Sequence, residues 1–213
     1  MTKKINIAAA FFMSLFVFTA VLTVAGQADG FNHSLMVWVH AIERPFFTLV
    51  LKIITYSGEW FVYAPVALLL VIIPKLRRKF GIPSVITLTA SALLNELLKY
   101  CFAIARPNDH RLITATGFGF PSGHAMNGAA FIGICALLFA RYTSNRSLKT
   151  AVSISAGLFI TAVGFSRVYL GVHRPTEIIA GYAMGFFLCL CAVSVIDTIQ
   201  NRKSRGDPCG RPW

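Results

Sequence analysis

The chain has 213 residues, 56% of them hydrophobic and 13% charged, with a mean hydropathy of +0.66. Soluble domains carry about 25% charged residues, so the composition excludes an ordinary soluble domain and indicates an integral membrane protein of one domain. The net charge of +12 does not point to nucleic acid, because the cations form no continuous stripe and sit mostly in short gaps between apolar runs, the pattern of membrane topology.

A membrane-spanning helix needs about 20 mostly apolar residues. In chain order, runs at 5–26, 59–74, 84–104, 123–140, 150–168 and 176–198 predict six spans, the second of them short, with a slightly earlier start as its alternative. The first run follows Lys3 and Lys4 and ends near Val24-Ala25-Gly26-Gln27-Ala28, like a signal peptide. It exceeds the roughly 7–15 apolar residues of such a peptide, so a retained first helix is expected. The stretch 31–57 is apolar but interrupted by His40, Glu43, Arg44, Pro45 and Lys52. It predicts one or two amphipathic helices at the interface or folded against the bundle, with a seventh span as the alternative. The expected fold is therefore all-α: a polytopic membrane helix bundle with six transmembrane helices plus one or two interfacial helices, occupying residues 1–200. Residues 201–213, basic and rich in turn formers, are expected to be a disordered cytoplasmic tail.

Charge placement orients the bundle. Thirteen of the twenty Lys and Arg residues fall in four groups: Lys3 and Lys4; Lys75, Arg77, Arg78 and Lys79; Arg141, Arg146 and Lys149; Arg202, Lys203, Arg205 and Arg211. With six spans all four groups share one face, and the excess of positive charge makes that face cytoplasmic, with both termini on it. The other seven, Arg44, Lys52, Lys99, Arg106, Arg111, Arg167 and Arg174, lie outside or near the outer helix ends. The five cysteines, Cys101, Cys135, Cys189, Cys191 and Cys209, have no metal or redox spacing, and those in apolar segments read as inert buried thiols.

Three polar clusters lie at the outer ends of the predicted helices. In the first, Lys99 and Arg106 are seven residues apart, two turns of one helical face. Pro107 disfavours helix at Arg106 and brings its side chain to the interface. Lys99 follows Asn95 and Glu96 within an apolar helix, where a charge calls for a buried partner or an anionic ligand. In the second, Gly117 to His124 read Gly-Phe-Gly-Phe-Pro-Ser-Gly-His before an apolar helix. Ser122 is a candidate N-cap, and Gly123 lets the free amides of the helix start approach an anion. In the third, Ser166-Arg167 precede His173 and Glu177, which are four apart. A helix starting near Pro175 brings the carboxylate to the imidazole and fixes its tautomer, leaving the other nitrogen as a nucleophile. Arg167 suits two-pronged contact with phosphate oxygens. His110, His124, His173 and Asp109 offer no helical metal-ligand spacing, and the surrounding cations repel a dication, so no metal or cofactor is expected. The cations stabilise phosphate charge directly.

Taken together, Lys99-x6-Arg106-Pro107, Pro121-Ser122-Gly123-His124 and Ser166-Arg167-x5-His173-x3-Glu177 resemble, in order and spacing, the three-part signature of the phosphatidic acid phosphatase type 2 superfamily, here spanning 99–177. The resemblance implies a helical membrane phosphatase whose site opens at the outer leaflet. It implies that His173 attacks phosphorus, that His124 protonates the leaving oxygen, and that Lys99, Arg106, Ser122, Gly123 and Arg167 hold the phosphate. One position departs from the pattern, which has aspartate where this chain has Glu177. The longer acid either reaches the imidazole after a small adjustment or misplaces it, and an error of about 1 Å can cost 100-fold in rate.

The expected function is metal-independent hydrolysis of a phosphate or diphosphate ester of a membrane lipid, with undecaprenyl diphosphate the leading substrate. The expected location is the bacterial inner membrane with the site facing the periplasm or exterior. The alternatives are a lipid phosphotransferase and a catalytically silent protein that binds phospholipid or passes an anion.

Overall fold

A computed structural model describes residues 2–206, with side chains from Lys3 to Asn201. The helices are α1 (Thr2–Val24), α2 (Asp29–Ala41), α3 (Pro45–Ser57), α4 (Trp60–Ile72), the short α5 (Pro74–Leu76) continued by a π-helical turn (Arg77–Gly81), α6 (Ile82–Phe102), α7 (Gly123–Tyr142), α8 (Arg146–Tyr169) and α9 (Pro175–Gly206). The described residues contain no β-strand. Five helical segments are long and apolar enough to cross a membrane: Lys3–Val24, Pro74–Phe102, Gly123–Tyr142, Arg146–Tyr169 and Pro175–Asn201. A sixth is obtained if α3 and α4, bent by 43° at their junction, form one broken span.

That junction falls at the start of the second expected run, for which a slightly earlier start is the alternative. α4 has only 13 residues, about 20 Å of helix, too short to cross alone. The apolar run begins earlier, in α3, and is interrupted where Gly58 ends α3 and Glu59 precedes α4. The 31–57 stretch accordingly splits: α2 packs on α8 and α9, while α3 packs on α8 and leads into α4. The expected tail lies mostly outside the described residues, which end at Gly206; up to that point the backbone continues α9.

α7 forms the centre, packed against α9, α8 and α6, with α1 on the far side of α9. Small residues permit the central contact. A Cβ at Gly181 would lie 2.7 Å from the Ser122 carbonyl oxygen, and one at Gly185 would collide with the Met126 carbonyl oxygen and approach Ala129 Cβ to 2.7 Å. Two glycines one turn apart thus set the α7–α9 separation, the small-residue device by which membrane helices approach closely. Lipid-facing positions are apolar instead, as at Ile154 and Leu158 on α8.

The two ends of the bundle differ in chemistry. At one end Asn6 of α1 meets Ser194 of α9, Arg141 pairs with Asp197, Gln200 reaches Tyr142, and Lys79 lies over the Tyr142 ring. Three of the topology-setting basic groups gather there. At the opposite end the α6–α7 connection, residues 103–122, folds over the helix ends through Leu112 N–H to Leu170 O and Gly119 N–H to Ile104 O. Asn32 of α2 closes this end: its amide oxygen accepts from Thr176 N–H at the start of α9 and its amide nitrogen donates to Thr176 Oγ1. An otherwise orphaned helix-start amide is so satisfied from another helix.

Candidate active site

The three polar clusters meet in a cavity of about 750 Å³ whose lining includes Lys99, Arg106, Gly123, His124, Arg167 and His173. Each arrives by a different local device. α6 ends at Phe102 with Ala103 in the left-handed region (φ 49°), so Arg106 belongs to the connecting loop. The expectation that Lys99 and Arg106 share one helical face is therefore corrected. They reach the same cavity because the chain turns back after Phe102. Arg106 is fixed by donating to the carbonyls of Thr116, Gly117 and Val172.

α7 starts at Gly123 with Ser122 before it, but Ser122 makes no side-chain cap bond, which corrects the expected N-cap role. Its hydroxyl is fully buried and unpaired. Gly123 is small for a packing reason as well: a Cβ there would approach Asn95 Oδ1 to 2.9 Å. Asn95 holds the turn by donating to the Pro121 carbonyl.

α9 starts at Pro175, and His173 Nδ1 lies 2.7 Å from Glu177 Oε2. Both side chains are essentially inaccessible, at 1% and 0%. Glu177 also accepts from Arg174 N–H (3.2 Å) and from Arg174 Nη1 (3.0 Å). Arg106 Nη1 is 2.7 Å from His173 Nε2. A guanidinium only donates, so Nε2 accepts and the ring proton sits on Nδ1, facing the carboxylate. Burial first, then the charges of Arg106 and Arg167, hold His173 well below the ordinary imidazole pKa and keep it neutral.

The second histidine has a partner that the motifs did not reveal. Glu59 Oε1, at the α3–α4 break, lies 3.1 Å from His124 Nε2, within ion-pair range though off the line of a well-formed hydrogen bond. Arg167 donates from Nη1 to Thr55 Oγ1 of α3 at 2.9 Å. Lys99 is 2.8 Å from Glu96 Oε1. Glu59, Thr55 and Arg174 are thus partners of the cavity residues missed in the sequence, whereas Asn95 is already legible beside Lys99. Arg174 carried a readable signal, three residues before Glu177. Glu59 carried a weaker one, a lone carboxylate in a Ser-Gly-Glu interruption of an apolar run. Thr55 carried none.

Among the described residues, four buried side-chain atoms lack a hydrogen-bond partner: Tyr63 Oη, Ser122 Oγ, His124 Nε2 and Arg167 Nε. Tyr63, His124 and Arg167 line the cavity, and Ser122 adjoins Gly123, which also lines it. Such groups cost about 1–3 kcal/mol each when unpaired. With the Arg106 guanidinium and the Lys99 ammonium they surround one cavity, donor chemistry that fits a tetrahedral oxyanion. The described residues contain no group of three or more His, Cys, Asp or Glu placed to hold a metal ion.

Comparison with known proteins bears on the family and the fold. Residues 80–200 match the PAP2 superfamily. The chain is 30% identical over 182 residues to phosphatidylglycerophosphatase B of Bacillus subtilis, covering 83% of this chain and 90% of that protein. It is 32% identical over 178 residues to the undecaprenyl-diphosphatase of Sulfolobus acidocaldarius, covering 81% and 82%. The crystal structure of a transmembrane PAP2 type phosphatidylglycerolphosphate phosphatase from Bacillus subtilis superposes with a TM-score of 0.79 at 28% identity, covering 88% of this chain and 96% of that one.

Proposed function

The chain belongs to the PAP2 superfamily, its relatives include lipid phosphatases, and we propose that it hydrolyses a phosphate or diphosphate ester of a membrane lipid through a phosphohistidine on His173. The observation that carries this reading is the double anchoring of one buried imidazole, Nδ1 on Glu177 and Nε2 towards the cavity cations. Undecaprenyl diphosphate is the leading substrate.

Lys99, Arg106, Arg167, the Ser122 hydroxyl and the amides at the start of α7 around Gly123 take the phosphate oxygens. Arg106 gives up the Nε2 lone pair and turns to the phosphate. Nε2 then attacks phosphorus, and the bond from phosphorus to the lipid oxygen breaks with its electron pair. His124 delivers a proton to that oxygen, which leaves as the lipid alcohol, or as the lipid phosphate when the substrate is a diphosphate. Water next attacks phosphorus, passing a proton to His124, and the phosphorus–nitrogen bond breaks to release inorganic phosphate. Glu177 keeps the proton on Nδ1 and balances the charge that grows on the ring. Glu59 orients His124. The cations meet the transition-state charge without a metal.

A lipid acceptor in place of water would turn the same phosphoenzyme into a phosphotransferase. The 2.7 Å contact of Glu177 with His173 favours chemistry over silent binding. We place six spans in a bacterial inner membrane by counting α3–α4 as one, with both termini cytoplasmic and the cavity towards the periplasm. The meeting of Asn6 with Ser194 at the basic end, away from the cavity, supports that orientation. The test is phosphate release by purified protein from undecaprenyl diphosphate, phosphatidylglycerophosphate, phosphatidic acid and lipid A. Release that persists with chelator and is suppressed by vanadate is expected. Strict dependence on an added metal ion would contradict the cation-only mechanism.

A further inference from the structure

Gly119 lies buried in the loop before Pro121, and its backbone does not require glycine. The described glycines with positive φ are Gly26, Gly117 and Gly171. Gly117, two residues earlier, has φ 70° and open space where a Cβ would point, so conformation explains it. Gly119 is the reverse case. A Cβ built there would lie 2.7 Å from Glu177 Oε1, 2.9 Å from Oε2 and 3.0 Å from the carboxyl carbon. These separations are shorter than a carbon tolerates, so a side chain at 119 and the Glu177 carboxylate in its present place exclude each other.

Neither partner is free to retreat. Gly119 N–H is tied to the Ile104 carbonyl at 2.7 Å, and Phe120 beside it is fully buried. On the other side, the Glu177 carbonyl accepts from Ser122 N–H at 3.0 Å, which binds the start of α9 to the start of α7. The carboxylate itself is held by His173 Nδ1, Arg174 N–H and Arg174 Nη1. Any push from position 119 is therefore delivered to the carboxylate and through it to the His173 ring.

We propose that Gly119 is a positioning residue for the nucleophile: the missing side chain at 119 admits the longer acid at 177, so that glycine and glutamate form a matched pair. The proposal rests on the reading of His173 as nucleophile and Glu177 as its orienting acid. It accounts for a glutamate serving where the superfamily pattern has aspartate. A methyl group at 119 moves the carboxylate, and an error of about 1 Å in such an assembly costs on the order of 100-fold. Shortening the acid by one methylene withdraws it from the same space, which a methyl at 119 then fills. Each single change should be harmful and the pair compensating.

The experiment compares four purified proteins: wild type, Gly119→Ala, Glu177→Asp and the double variant. Two readouts are taken, kcat and KM on phosphatidic acid and undecaprenyl diphosphate in mixed micelles, and thermal unfolding in detergent. The expected result is a fall in kcat of at least 10-fold for Gly119→Ala with KM little changed, a smaller fall for Glu177→Asp, and a double variant more active than Gly119→Ala alone. The melting temperature should follow the same order, lowered by Gly119→Ala and recovered when Glu177→Asp is added. If Gly119→Ala does not fold, folding of the double variant supports the pairing, and its failure overturns it. Wild-type rate and melting temperature in Gly119→Ala would overturn the proposal, as would losses that simply add in the double variant. If the wild type releases phosphate from neither of these lipids nor from phosphatidylglycerophosphate or lipid A, the catalytic reading is in error, and compensation in the melting temperatures still decides whether the two positions are matched.

Discussion

Arg106 Nη1 donates to His173 Nε2 at 2.7 Å, so a guanidinium occupies the lone pair that the proposed mechanism directs at phosphorus. The same arginine is pinned by carbonyls of residues 116, 117 and 172. In the proposed mechanism Nη1 turns from the ring to a phosphate oxygen while the Nε contacts to residues 116 and 117 hold the side chain, exposing the nucleophile as the substrate arrives. Arg106→Ala should lower kcat/KM by about 10²–10³, the usual consequence of removing one transition-state donor.

The same contact has a pH signature. Burial and then the positive charge of Arg106 and Arg167 depress the His173 pKa well below 6.5. Attack needs the neutral ring, so in the wild type the acid limb set by His173 lies below pH 6.5. Removing the Arg106 charge makes protonation easier and moves that limb to higher pH. The check is the kcat/KM profile, which reports the free enzyme, measured for wild type and Arg106→Ala on one substrate so that substrate ionisation cancels. An unmoved limb would mean that the two groups do not interact electrostatically.

Glu177→Gln removes the charge that meets the imidazolium-like ring and sets an amide against Arg174. Loss of the carboxylate behind a catalytic histidine costs up to about 10⁴ in rate. A fall of about 10²–10⁴ in kcat is expected, measured by phosphate release at saturating lipid. Near-normal turnover would show that Glu177 only fills space.

Glu59 and His124 should act together, through the leaving group. A lipid alkoxide needs a proton as it departs, whereas p-nitrophenolate does not. In the first, phosphoenzyme-forming step, followed as the single-turnover burst of leaving group, Glu59→Gln is expected to lower the rate on phosphatidic acid by about 10–100-fold while leaving the p-nitrophenolate burst nearly unchanged, and His124→Ala should show the same pattern more strongly. Equal losses on both substrates would assign Glu59 to structure.

The α7–α9 contact offers a stability contrast. A Cβ at Gly185 would collide with α7 backbone, whereas one at Gly157 meets nothing within 4 Å. Gly185→Leu should abolish or severely reduce the folded yield in detergent, since overpacking a closed contact costs about 1–3 kcal/mol or more. Gly157→Leu should melt like the wild type. Thermal unfolding of the two variants makes the check.

Much of this was legible before the fold was known, for reasons visible at particular residues. Apolar length announced α1, α6, α7, α8 and α9, because lipid imposes a long uninterrupted run on any helix that crosses it. The α3–α4 break was not legible in the same way: Ser57-Gly58-Glu59 looked like the boundary between an interfacial stretch and a short span, and the 43° bend between α3 and α4 is not written in local composition. The charged residues that line the cavity announced themselves because charge among apolar residues is costly, as at Lys99 and Arg167. The residues that orient them were hidden. Thr55 is 112 positions from Arg167, and Asn32 is 144 from Thr176; no local spacing links such pairs. Arg106 was assigned to a helix face that ends four residues before it, because Ala103, not a glycine or proline, takes the left-handed turn.

The central claim is that His173 carries the phosphoryl group. Its most direct measurement is rapid acid-free quenching of the purified enzyme with lipid labelled in the departing phosphate, followed by separation of protein from lipid. The account predicts protein-bound label that survives alkali and is lost in acid, as phosphoramidates are, and its absence from His173→Ala. Phosphate release at the wild-type rate by a folded His173→Ala protein would contradict it.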